Sequence, residues 1–190
     1  MTWRTGKVTV PASVDAIDLA SLKDHLRVSG TSEDAVIDGY RLAAIGHIGK
    51  MTGLYLAPQT VEAVTSTWSD LALLPFAPIV SVVVSYRDLT GTFQIFNSGS
   101  YTLLDSDPLA PAIELVPGAS WPGIYSRSDA IKLTAVCGYS ALPDGIRQAI
   151  LLLAADWYES REDTTAERGV TPMTVPNGIN ALLANYRLNA

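Results

Sequence analysis

Gly46-His47-Ile48-Gly49-Lys50-Met51-Thr52-Gly53 is the stretch whose residue types come nearest to phosphate chemistry. A phosphate-binding loop keeps four residues between its glycines, sets Ser or Thr directly after the lysine, and follows a strand. Here the spacing differs and the segment closes a helical pattern, so phosphate binding is not expected. His25 and His47 are the two histidines, one on each of two adjoining helical patterns. No carboxylates accompany them at ligand spacing, so they read as packed or interfacial imidazoles. No Gly-x-Ser-x-Gly elbow occurs, and no acid, base and nucleophile fall into a catalytic pattern. The expectation is a protein that is not an enzyme and holds no cofactor or metal. Asp156, Glu159, Glu162 and Asp163 cluster near a helix end and read as a solvated face. Cys137 is the one cysteine, which excludes an internal disulfide and a multi-cysteine metal site. It follows the apolar run Ile131 to Val136 and reads as a buried small hydrophobe. Trp68 and Trp121-Pro122 remain as an aromatic platform for a sugar, weighed against core or loop-anchoring duty.

The elements that position these residues follow from periodicity. Leu19, Leu22 and Leu26 mark one helical face with Asp18 as its N-cap, and Val28-Ser29-Gly30 ends the helix. Thr31-Ser32-Glu33-Asp34 starts a second helix with hydroxyl caps and two acids, and Gly53 stops it. Val36, Tyr40, Ala44, Ile48 and Met51 form its apolar stripe. Ala35, Gly39, Ala43 and Gly46 form a smooth ridge where another backbone can approach, from the chain's own fold or from a neighbouring subunit. The interior glycines cost about 1 kcal/mol each relative to alanine, a cost that close packing must offset.

Lys7 to Val10 alternates as an arm or edge strand. From Thr60 the period becomes two, with strands expected at Val61 to Thr65, Ile79 to Tyr86, Thr92 to Phe96, Tyr101 to Leu104, Ala112 to Val116 and Ala130 to Val136. Val80, Val82, Val84 and Tyr86 are placed on one face. Pro143 restores the helical period, and Ile146, Ile150, Leu153, Ala154 and Trp157 share a face, while Leu151, Leu152 and Ala155 make that helix apolar nearly all round. A last short helix carries Ile179, Leu182, Leu183 and Tyr186, too short to stand alone in water. Tyr186-Arg187 adds residue types enriched at interface hot spots. The fold class is therefore α+β: a helical bundle of two N-terminal helices, one long and one short C-terminal helix, with an inserted small antiparallel β-sandwich or barrel. The expected domains are 1–56 for the arm and helix pair, 57–140 for the β insertion and 141–190 for the C-terminal helices, with a linker over 160–176.

The chain of 190 residues is 48% hydrophobic and only 17% charged, a composition that points to surface covered by partners. A net charge of −6 argues against wrapping nucleic acid by phosphate neutralisation, but not against a protein that DNA slides past. No run of about 18 apolar residues is present, so no membrane span is expected. Met1-Thr2-Trp3-Arg4 and the residues after it lack the apolar core of a signal peptide, so synthesis and retention in the cytoplasm are expected.

Three places carry a resemblance to the head–tail connector (adaptor) proteins of tailed bacteriophages, in the longer form with a β-rich insertion. Leu22-Lys23-Asp24-His25-Leu26-Arg27-Val28, then Glu33-Asp34 and the Ala43-Ala44 helix, is similar to that family's start. Leu73 to Asp88, Trp121-Pro122 and Val136 to Tyr139 are similar to its inserted β part. Pro143-Asp144-Gly145-Ile146-Arg147-Gln148-Ala149-Ile150 to Trp157-Tyr158-Glu159, with Gly178 to Arg187, is similar to its end. The resemblance implies a structural virion protein of the neck, a homo-oligomeric ring of twelve subunits that extends the portal channel. Its implied partners are the portal protein and the tail or a stopper (head-completion) protein, with DNA passing through the lumen without specific binding. It also implies portal docking by Ile179, Leu182, Leu183, Tyr186 and Arg187, and with a ring it sets the ridge of Ala35, Gly39, Ala43 and Gly46 at the subunit interface. Gly39, Gly46 and Gly49 depart from the better helix formers expected there. The reading from another class is a β-sandwich module that binds a ligand or carbohydrate through Trp68 and Trp121.

Overall fold

The computed structural model describes residues 3–160 and 177–188. The chain is α+β, with four helices and a five-stranded antiparallel sheet, and it divides into two compact units. Of the described residues, 3–14, 53–140 and 188 form a β unit, and 15–52, 141–160 and 177–187 form a helical unit. The arm expected to group with the helix pair thus groups with the sheet, because its backbone hydrogen bonds are made there.

In the β unit the strands are β1 (Arg4–Val10), β2 (Gln59–Thr65), β3 (Ile79–Arg87), β4 (Phe93–Ile95), β5 (Tyr101–Leu104), β6 (Ala112–Leu115) and β7 (Ile131–Cys137). The main sheet runs β1-β2-β7-β3-β4, and β5-β6 form a separate antiparallel pair. β7 returns late in the sequence to lie between β2 and β3, pairing Val61 with Ala135 on one side and Val82 with Ala135 on the other. Period-two alternation turns Val61, Ala63, Val84, Leu133 and Ala135 inward. Tyr101 and Ile113 from the β5–β6 pair complete the same core with Leu71, Leu74 and Phe76. Two sheets sharing one core make this a layered arrangement, and the main sheet ends on β1 and β4 without closing into a barrel.

Val80 departs from its expected face. The register shifts between Ile79 and Ser81, so Ile79 packs on the core and Val80 points out, 64% exposed. Cys137 is buried as expected, and burial pushes its thiol up to about 12. It stays a protonated, unreactive side chain at neutral pH.

The helical unit holds α1 (Leu19–Leu26), α2 (Asp34–Thr52), α3 (Asp144–Glu159) and α4 (Asn177–Leu183). Asp18 caps α1 by accepting from the Ser21 amide at 2.6 Å, and that bond, more than any nearby charge, holds its carboxyl below the usual range. α1 ends at Leu26, just before the expected stop over Val28-Ser29-Gly30, with Arg27 capping it in the left-handed conformation and Val28 N donating to Lys23 O. Gly53, with φ of 74°, follows the last residue of α2 as the expected left-handed stop. α3 is the centre of the unit and touches α1, α2 and α4, burying Ile146, Ala149, Ile150, Leu151, Leu153 and Ala154. The linker expected over 160–176 lies, after Ser160, outside the described residues.

Candidate functional site

Most of the residues whose types pointed toward chemistry make packing or backbone contacts. The segment 46–53 is the last turns of α2 and its stop. His47 packs edge-on against Trp157 with ring centroids 5.8 Å apart, while His25 is exposed at the end of α1. Among the described residues no group of three or more His, Cys, Asp or Glu side chains is placed to hold a metal ion. Trp68 and Trp121 stack on each other at 4.4 Å, with Phe96 beside both, and Trp68 Nε1 donates to Pro122 O at 3.0 Å. This pair anchors the Trp121 loop to the turn after β2.

The feature left over is the outer face of α2. Its inward stripe is Ile37, Arg41, Ala44, Ile48 and Thr52. The stripe expected from sequence is therefore rotated: Ala44 and Ile48 belong to it, Tyr40 and Met51 lie half-buried at its margin, and Val36 points out. The reason is Arg41, which is only 5% exposed yet occupies a core position. Its guanidinium pairs with Asp15 at 2.8 Å and Asp38 at 2.7 Å and donates to Ile17 O. Burial works against the charge, but the bonds and charges of Asp38 and Asp15 outweigh it and hold Arg41 above its ordinary range. The side chain straps the segment before α1 onto α2. Arg41→Met keeps the apolar stem but leaves the buried Ile17 carbonyl without this donor. It is expected to lower stability by about 2–3 kcal/mol, measured by urea unfolding followed by circular dichroism.

With Arg41 turned in, Ala35, Gly39, Ala43 and Gly46 are all exposed. They share the outward face with Val36, 47% exposed, and Leu42, 48% exposed. A Cβ added at Gly39 or Gly46 meets nothing within 4 Å. From Ala35 to Gly46 this exposed stripe carries no charge, which ends with Lys50. A soluble surface helix ordinarily presents its polar residues on that side.

The residues singled out on the last helix divide. Ile179 and Leu183 are buried, Leu182 and Tyr186 are half-buried, and Arg187 is exposed. α4 packs on α3, and the Tyr186 ring lies so close to Gly145 that a Cβ there would sit 2.9 Å from Cε2. Ile179 and Leu183 thus fix α4 to its own fold, which leaves Leu182, Tyr186 and Arg187 with surface to offer.

No protein-family model and no curated protein matches the chain. Solved structures do. The chain is similar to a component of the neck of a gene transfer agent particle. One match is to the neck of the empty particle, computed with C6 symmetry, at 26% identity and a TM-score of 0.74, covering 98% of this chain and 97% of that one. A second is to the virion of the native particle, at 27% identity and 0.73, with the same coverage. A third is to the neck of the native particle, computed with C12 symmetry, at 27% identity and 0.68, covering 96% of each chain. The likeness spans both units, so it is carried by sheet and helices together.

Proposed function

We propose that this chain is a structural neck protein of a phage-like particle, a head–tail adaptor that extends the portal channel. The observation that carries this reading is the near full-length likeness to a particle-neck chain at 26% identity. The symmetry of those necks supports a ring of identical subunits, and we take twelve as the copy number. The apolar, uncharged outer face of α2 fits a subunit contact, with Ala35, Gly39, Ala43 and Gly46 letting a neighbouring helix come close. Leu182, Tyr186 and Arg187 are the part of the α4 region that offers itself to a portal. Formal charge of −6 suits a channel wall that DNA passes without binding.

The test is native mass spectrometry with negative-stain imaging of the full chain, alone and with a portal protein from the same particle. Rings are expected, with Arg187→Glu lowering portal capture and leaving the ring intact. A strictly monomeric chain in both settings overturns the adaptor reading.

A further inference from the structure

A closed ring needs a heterologous contact, in which each subunit supplies two different faces. The outer face of α2 is one. The helical unit carries a second apolar feature outside its core, an open cleft of about 330 Å³ to which α2 contributes nothing. Its floor is Leu152, Ala155 and Ile179, and its rim is His25, Asp156 and Glu159. Leu152 is 37% exposed at this place, the one large aliphatic side chain of α3 that stands open to solvent.

We infer that this cleft receives the outer face of α2 from a second copy of the chain, with Leu42 against Leu152 and Lys50 against Glu159 and Asp156. The inference rests on the ring reading and adds the identity of the two faces. Charge and spacing commit it to one register. The cleft rim carries two carboxylates, and the outer face of α2 ends in one cation, Lys50, which has no ion pair among the described residues. Leu42 and Lys50 lie about 12 Å apart along α2, and Leu152 and Glu159 about 10 Å apart along α3, from a rise of about 1.5 Å per residue. A parallel crossing therefore aligns both contacts at once. Between them Gly46 falls opposite Ala155, so small residues meet where the two backbones approach. Leu42 fills apolar space and Lys50 meets acid; the reverse register sets Lys50 against Leu152.

Two experiments on the full chain decide this. In the first, Leu42→Cys and Leu152→Cys are combined in one chain and oxidised, with Cys137 too deeply buried to compete. A ladder of disulfide-linked subunits is expected, and neither single variant gives linked dimers. In the second, Lys50→Glu weakens assembly about tenfold, and adding Glu159→Lys restores it to within about threefold of the parent. Circular dichroism melts of all variants confirm that the fold is kept. Rings without a ladder and without charge-swap rescue overturn this pairing of faces and leave the adaptor reading standing. Efficient dimers from Leu42→Cys alone show a symmetric contact and also overturn it. Monomers under every condition bring down the ring reading and this inference together.

Discussion

Gly138→Ala is expected to destabilise the β unit by on the order of 4 kcal/mol, because among the described glycines it has the closest backbone approach to an added Cβ. Gly138 sits directly after β7 with φ of 119°, a backbone conformation that L side chains rarely adopt. Its position is fixed from two sides. Its amide donates to Pro78 O at 3.0 Å, and the preceding Cys137 is paired to both Gln59 and Ile79. A Cβ there would lie 2.2 Å from Ala57 O, 2.4 Å from Ala57 C and 2.7 Å from Pro58 N. These are backbone atoms just before β2, so no side-chain rotation relieves the overlap. The sheet must shift where its central strand meets both neighbours. Gly91→Ala is the control, because Gly91 has φ of 85° and nothing within 4 Å of an added Cβ. Backbone strain alone should cost it about 1 kcal/mol. Urea titration of both variants separates strain from overlap. Equal midpoints would mean that the Ala57-Pro58 segment yields freely, and would refute the close approach as a constraint.

The close approach at Gly138 was invisible in the sequence, whereas most of the sheet was not. Alternation of β-branched and polar residues located β2, β3, β5, β6 and β7 to within a residue or two, because one face of each strand lies on a core and the other does not. That signal weakens where the backbone departs from strict alternation. The irregularity between Ile79 and Ser81 turns Val80 outward, and nothing in the residue types announces it. The helical unit shows the opposite difficulty. α2 is apolar on both sides, so periodicity finds two stripes and cannot choose the inner one. Arg41 decides, and it is the residue that a hydrophobic pattern discards. Its burial depends on Asp15 and Asp38, one from the preceding segment and one from its own helix.

The candidate site was legible to the same degree. Small residues at Ala35, Gly39, Ala43 and Gly46 suggest a close approach by residue type alone, but not which way the ridge faces. Ile179 and Leu183 illustrate the converse. Their spacing marks an apolar face in need of cover, and α3 of the same chain supplies it, which spacing cannot distinguish from a partner. Deleting the residues after Val175 therefore removes two buried side chains as well as any docking surface. A surface substitution such as Arg187→Glu separates these effects.

Gly39→Leu is where folding and assembly are expected to move in opposite directions. The position is exposed on α2, and a Cβ there meets no atom within 4 Å, so the isolated subunit has room for the side chain. Leucine is a better helix former than glycine by roughly 0.8 kcal/mol, so the subunit should be as stable as its parent or slightly more stable. A neighbour's helix packed on the stripe meets four extra carbon atoms where it needs none, and overpacking of a close contact costs about 1–3 kcal/mol at each copy of the interface. A closed ring repeats that cost around its circumference. Sedimentation velocity should then show rings replaced by monomers, while the thermal midpoint holds or rises. Gly39→Ala takes most of the helix gain with a single methyl group and should assemble more nearly like the parent. Ile37→Ala, on the buried side of the same helix, should lower the midpoint instead, through a cavity costing about 2–5 kcal/mol. Intact rings from Gly39→Leu would place the stripe against solvent or the channel, and the glycines of α2 would then owe nothing to a neighbouring subunit. A lowered midpoint would instead show that the outer face of α2 belongs to the chain's own core.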